Sequence, residues 1–332
     1  MPNTTEQHRG AFDTFAVIGA GPVGGIMAAH LARLEKKVYI VDIQEHLIRA
    51  IREQGITVEG KGQTFTARVN DAFLFTANLE RLKADWIIIA VKSNSLDSLL
   101  EELKLVFGRG QKILILQNGI DNEERVAERF GAENVFRAVP NYAGGIVKPG
   151  VYRLSFFNPP NYLGACVPAN EPIGRELAAL ITQAGLETVF TPDIKKQEWI
   201  KTILAAGLMP VCATTGLNMK EAMDNDETRC LCERILAESI AVADRVGYKF
   251  EDDFFETCLS YLSQADYHKP SSSIDLEAGN PVEYVFQPII DYGKKLKTPT
   301  PCLQSLTWIM RTLEKERRQI GFLRTPAKPA KK

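Results

Sequence analysis

A run of four apolar residues, Phe15-Ala16-Val17-Ile18, ends on Gly19-Ala20-Gly21-Pro22-Val23-Gly24 and continues into Ile26-Met27-Ala28-Ala29-His30-Leu31. No other stretch limits the possible folds as tightly as this strand, glycine turn and helix. In a G-x-G-x-x-G motif the first glycine permits a tight turn. The second lets backbone approach a diphosphate, and the third lets helix and strand pack closely. Free N–H groups and the dipole of the helix N-terminus then favour an anion. A glycine turn by itself carries no such meaning; the flanking strand and helix supply it. Gly19, Ala20, Gly21, Pro22, Val23 and Gly24 are therefore candidate dinucleotide-binding residues.

The alternation continues downstream. Val38-Tyr39-Ile40-Val41, Trp86-Ile87-Ile88-Ile89-Ala90-Val91 and Ile113-Leu114-Ile115-Leu116 are apolar on both faces, as strands buried on both sides of a parallel sheet should be. Helix-length segments at 22–35, 44–54, 95–107 and 122–130 lie between them. A Lys148-Pro149-Gly150 turn within 143–157 predicts a hairpin. With Tyr162-Leu163-Gly164 it is expected to extend the same sheet, followed by a helix at 171–184 and a last strand from Glu187 to Thr191. After Pro192 the pattern is helical, over 194–219, 220–246, 252–266, 283–297 and 302–319, with Thr300 as N-cap before Pro301. The fold class is thus α/β. A Rossmann-type doubly wound domain is expected over 14–191 and an all-helical domain over 192–320. They are flanked by a flexible N-terminus, 1–13, and a basic flexible tail, 321–332.

Composition excludes several classes of function. With 40 Lys+Arg against 41 Asp+Glu the net charge is -1, without the basic excess of a nucleic-acid binder. The tail is the exception: from Arg311 to Lys332, eight Lys or Arg face two Glu. Cys166, Cys212, Cys230, Cys232, Cys258 and Cys302 form no CxxC pair, and only four His are present, so no metal site is expected and the thiols read as free. The first ten residues lack the apolar core of a signal peptide. The uncharged stretch beginning at Thr202 contains Gly207, Pro210 and Gly216, which suits a buried, interrupted helix better than a membrane span. A cytoplasmic location without membrane or nucleic-acid partners is expected, and a helical second domain is compatible with a homodimer.

Asp42 ends the second strand 18 positions after Gly24, where a carboxylate accepts hydrogen bonds from the adenosine ribose. A 2′-phosphate there would meet like charge, which favours NAD(H) over NADP(H). The competing readings are that Asp42 caps the next helix, and that Arg49 or Arg52 reaches a phosphate. Lys92 follows the strand that starts at Trp86, and Gln117-Asn118-Gly119 follows the next one. Strand C-termini line the ligand crevice of such a sheet, so Lys92 is a cofactor candidate and Asn118 a cofactor or substrate candidate. Hydride transfer to a carbonyl also needs an acid or cation at the oxygen. Of the histidines, His8, His30 and His46 are poorly placed and only His268 falls in a plausible loop. Lys201, at the mouth of the uncharged stretch, is the other candidate.

In order along the chain stand Gly19 to Gly24, Lys92, Gln117-Asn118-Gly119, Trp199-x-Lys201, Ser271-Ser272-Ser273 and Asp275-Leu276-Glu277-Ala278-Gly279-Asn280-Pro281-Val282-Glu283. This series resembles the ketopantoate reductases (2-dehydropantoate 2-reductases), over about residues 14–318. The resemblance implies a C-terminal domain like that of 6-phosphogluconate dehydrogenase and NAD(P)H-dependent reduction of 2-dehydropantoate to pantoate, in pantothenate and coenzyme A biosynthesis. It implies Lys201 as general acid and Glu283 as the group that orients substrate and lysine. Ser271, Ser272 or Ser273 would bind the carboxylate, and Asn118 would touch cofactor and substrate. Departures from the pattern are Ala205 and Met209, where the family has asparagines, a segment before Glu283 about two residues shorter, Gln287-Pro288 in place of Asn-Gly, and the acidic Asp42. Two alternatives follow: a relative reducing another 2-oxo acid, or a non-catalytic dinucleotide-binding protein.

Overall fold

The computed structural model describes residues 12–108 and 110–324. The chain divides into two compact units after Gln197.

The first unit begins with β1 (Thr14–Ile18), α1 (Pro22–Arg33), β2 (Lys37–Val41) and α2 (Glu45–Gln54). Three short strands follow, β3 (Ile56–Gly60), β4 (Gln63–Ala67) and β5 (Asp71–Phe73). Then come β6 (Trp86–Ile89), α3 (Leu96–Val106), β7 (Lys112–Ile115), α4 (Asn122–Phe130) and β8 (Val135–Val139). The unit continues through β9 (Tyr142–Lys148), β10 (Val151–Phe157), β11 (Asn161–Ala165), α5 (Glu171–Gln183) and β12 (Thr188–Phe190) into α6 (Ile194–Thr215).

The main sheet has the order β12-β11-β8-β7-β6-β1-β2-β5. The six strands from β8 to β5 are all parallel, in the doubly wound arrangement expected. Its all-apolar runs have a simple cause. Phe15, Val17, Trp86 and Ile88 enter one core with α1 and α5, while Ala16, Ile18, Ile87 and Ile89 enter a second core with α3 and α4. Side chains alternate across a strand, so a strand covered on both faces must be apolar at every position.

The hairpin β9–β10 departs from expectation. It does not extend the main sheet but joins β3 and β4 in a separate four-stranded sheet, ordered β4-β3-β10-β9. The reason lies in α1, whose residues Gly24 to Leu31 are buried without interruption. A helix apolar all round cannot be covered by one sheet. The second sheet covers its far side with Ile56, Val58, Tyr152 and Leu154, which join the same core.

The second unit holds the rest of α6, then α7 (Met219–Asp224), α8 (Asp226–Val246), α9 (Phe254–Ser263), α10 (Ser271–Ala278), α11 (Gln287–Lys295) and α12 (Pro301–Arg324). A capping box between Asn218 and Glu221 starts α7 after the break at Gly216. Pro301 opens α12, whose first-turn N–H groups of Cys302 and Leu303 are accepted by Glu238, at 2.8 and 3.1 Å. Trp199, 1% exposed, lies against Tyr248 and Tyr292 with ring centroids 5.4 and 5.6 Å apart. The serine run, outside the expected helices 252–266 and 283–297, is the first turn of α10. Helix α12 also continues through Gly321 to Arg324, four residues into the expected tail, because Lys, Arg, Glu and Gln favour a helix and no proline intervenes before Pro326. The remainder of that tail, and residues 1–11 of the expected flexible N-terminus, lie outside the described residues. Phe12, by contrast, stacks on Trp86. Among the described residues no helix is long and apolar enough to cross a membrane.

Candidate active site

Because the six strands are parallel, their C-terminal ends share one edge of the sheet. The glycine turn follows β1, Asp42 follows β2, Lys92 lies beyond β6 and Asn118 beyond β7. Strands β1 and β6 are neighbours where the strand order reverses, which is where such sheets take ligands.

The phosphate-binding turn meets the geometric requirements. Gly19 has φ +100°, and a Cβ there would sit 2.8 Å from the Ala90 carbonyl carbon. A Cβ on Gly24 would collide with the Gly19 carbonyl and with Ala90 Cβ. A Cβ on Gly21, by contrast, would meet nothing within 4 Å, so that space is open to a ligand. Helix α1 has no capping side chain and no acidic residue in its first turn, leaving its positive end available to an anion. These features fit a dinucleotide diphosphate.

The turn is also held from behind. Asp42 Oδ2 accepts from Ala20 N at 2.8 Å, and Tyr152 donates its hydroxyl to Ala20 O at 2.7 Å. Tyr142 donates to Val23 O at 3.0 Å. Burial raises both phenol pKa values, for Tyr152 with the Asp42 charge adding to it, so both hydroxyls remain donors. Neither tyrosine was singled out from the sequence. Tyr152 lies in the extended 143–157 segment and Tyr142 just before it, but only the second sheet gives them meaning. Asp42 plays two parts, since Oδ1 also accepts from Gln44 N, the N-cap residue of α2, at 2.9 Å. Arg52 is committed to Asp71 at 2.9 Å, and Arg49 forms a 3.7 Å exposed pair with Glu45.

On the β6–β7 side, Lys92 is half-buried, and the adjacent Ser93 donates to Asn118 O at 3.4 Å. Asn122 also donates to that carbonyl, at 2.9 Å. Gln117 Nε2 donates to Val91 O at 2.9 Å. Arg137, 2% exposed, donates to Ile115 O at 3.2 Å and Gly119 O at 3.1 Å, and to Ala138 O. Its guanidinium lies 3.6 Å from Glu123, equally buried. Lys195 joins Glu123, Asp121 and Glu124. The carboxylates of Asp121, Glu123 and Glu124 lie within 4.8 Å of one another, with Lys195 paired to all three and Arg137 beside Glu123. This charge network secures the Asn118–Asp121 turn and gave no motif that could have announced it.

In the second unit, Lys201 is half-buried on α6, two residues beyond the buried Trp199. Glu283 is half-buried in the segment between α10 and α11, which is neither helix nor strand. Of the three serines, Ser271 is exposed, whereas Ser272 and Ser273 are each 1% exposed and their hydroxyls find no hydrogen-bond partner among the described residues. They occupy the first turn of α10, beside the N–H groups of a helix start.

Two family models match the chain: Ketopantoate reductase PanE/ApbA over residues 15–166, and its C-terminal counterpart over 193–314. The chain belongs to the ketopantoate reductase family. A 2-dehydropantoate 2-reductase from Pyrococcus horikoshii is 28% identical over 302 residues, covering 89% of this chain and 95% of that protein. The structure of a 2-dehydropantoate 2-reductase from Geobacter metallireducens superposes with TM-score 0.82 at 25% identity, over 90% of this chain and 99% of the other. D-mandelate dehydrogenase in ternary complex with NADH and anilino(oxo)acetate gives TM-score 0.83 at 21% identity, over 91% and 98%, a likeness of fold. As a member of this family, the chain is an NAD(P)-dependent oxidoreductase that acts on a keto group, with a Rossmann-type unit preceding a helical one.

Proposed function

We propose that this ketopantoate reductase family member reduces 2-dehydropantoate to pantoate with NADH. The observation that carries the reading is the first turn of α10. Buried hydroxyls without partners are costly unless something binds them, and Ser272 and Ser273 stand at a helix N-terminus, where a carboxylate is favoured. When bound, the nicotinamide dinucleotide supplies the hydride. Lys201 Nζ then gives its proton to the ketone oxygen as negative charge builds there. Glu283 accepts from the substrate hydroxyl and orients the lysine, while Asn118 would contact both cofactor and substrate. Lys92 meets the cofactor's phosphate or ribose. The choice of NADH rests on Asp42, whose carboxylate would repel a 2′-phosphate, and on Arg52, already tied to Asp71.

Ala205 and Met209 favour a second reading. They follow Lys201 by one and two turns on the same helical face and offer no amide to a polar substrate. A 2-oxo acid with a more apolar side chain would suit that face. The test is NADH and NADPH oxidation over a panel of 2-oxo acids, with wild type and Lys201→Ala. Fast turnover of 2-dehydropantoate supports the first reading, and preference for an apolar 2-oxo acid supports the second. A tenfold preference for NADPH would overturn the reading of Asp42.

A further inference from the structure

Glu283 sits in an irregular segment, and such a segment has no ladder or helix of its own to fix it. Its neighbours are gripped by one carboxylate on α12. Glu314 Oε1 accepts from Val282 N at 3.0 Å, and Glu314 Oε2 accepts from the Tyr284 hydroxyl at 2.8 Å. The residues on either side of Glu283 are therefore tied to a single side chain 14% exposed. Arg318, one turn along α12, pairs with Glu314. Arg311, one turn back, lies over the Tyr284 ring at 5.2 Å and donates to Gln287 Oε1 at 2.8 Å, at the start of α11. One face of α12 thus holds positions 282, 284 and 287 together, with Glu283 between the grips. Burial, and then the bond to Glu314, push the Tyr284 phenol up, so it stays a donor.

We propose that Glu314 is a positioning residue for the reduction, which sets Glu283 by clamping Val282 and Tyr284 on either side of it. This rests on the assignment of Glu283 made above. Arg311 and Arg318 complete the clamp by holding Tyr284 and Glu314 in place. The ionic bonds of this network surround one catalytic candidate, and Tyr284 also meets the buried Phe286, with ring centroids 6.2 Å apart.

Glu314→Ala is expected to lower kcat/KM for 2-dehydropantoate, or for the best 2-oxo acid of the panel, by about tenfold to a hundredfold, the scale of a misplaced reacting group. The NADH Kd should stay at the wild-type value, and the pH profile of kcat should move, because Glu283 would lose its setting. Glu314→Gln, whose amide oxygen still accepts the Val282 N–H, should recover most of the rate. Tyr284→Phe removes one bond only and should give the same defect, several-fold in size, in a fully folded protein. If Glu283→Gln is inactive while Glu314→Ala and Tyr284→Phe keep wild-type kcat, KM and pH profile and merely melt earlier, the clamp is structural and the proposal fails alone. If Glu283→Gln itself turns over normally, the assignment of Glu283 fails and the proposal falls with it.

Discussion

At Gly19 to Gly24 the groups offered to a ligand are backbone N–H groups, placed by glycines and braced from behind by Asp42, Tyr142 and Tyr152. At Lys201, Ser272, Ser273 and Glu283 the groups are side chains, carried on a long helix, a helix start and an irregular segment. The first kind of site is written into a few consecutive residues, because backbone geometry needs glycine at fixed spacing. The second, as proposed, draws on positions distant in sequence, and its precision would depend on residues such as Glu314 that touch no substrate. Mutations should therefore separate the two regions cleanly.

The largest effect is expected at Trp199, in the core of the helical unit. Trp199→Ala should cost about 3–5 kcal/mol, the usual price of deleting a buried aromatic. Differential scanning calorimetry should show the helical unit melting earlier, while NADH affinity of the first unit survives at low temperature. A matching loss of NADH affinity would mean that the two regions are not separable. Next comes Gly24→Val, whose Cβ collides with Gly19 O and Ala90 Cβ. Overpacking of about 1–3 kcal/mol should appear as a strong rise in the NADH Kd by isothermal titration. Tyr152→Phe should be milder, since one hydrogen bond contributes about 0.5–1.5 kcal/mol. It should raise the NADH Kd several-fold and leave kcat at saturating NADH unchanged. A fall in kcat would show that the brace serves the chemistry and not only the cofactor.

The smallest effect concerns His30, buried on α1 with Nδ1 2.7 Å from Ala184 O. Burial holds its pKa below the ordinary 6.5. The unfolded chain therefore takes up a proton near 6.5 and the folded chain only at lower pH. By linkage, stability rises with pH across the window below 6.5 and is lost as pH falls through it. Urea titrations at several pH values should show this slope, and His30→Gln should flatten it.

The doubly wound sheet was legible because Phe15–Ile18 and Trp86–Ile89 are apolar at every position and the helices between them keep their period. The second sheet was not, since β3 and β4 are short strands and β10, the partner of β3, lies far along the chain. The uninterrupted burial of α1 explains why such a cover was needed. The glycine motif, Asp42, Lys92 and Asn118 were legible as candidates from strand ends alone and Lys201 from its place at the start of the uncharged stretch, whereas Glu283 was legible only through a family pattern. Tyr142, Tyr152, Arg137, Glu123, Lys195 and Glu314 were not, because their partners are mostly backbone atoms or charges far away in sequence. Ser272 and Ser273 could be separated from Ser271 only once α10 was known to start at the run and to bury two of the three.

Cofactor binding by the first unit and proton donation by Lys201, as proposed, separate in one experiment on Lys201→Ala, in which the NADH Kd and the single-turnover rate of 2-oxo-acid reduction are measured together. The Kd should be unchanged and the rate lower by about a hundredfold to ten-thousandfold, the usual contribution of a positioned acid. A rate within a few-fold of wild type would rule out Lys201 as the proton donor.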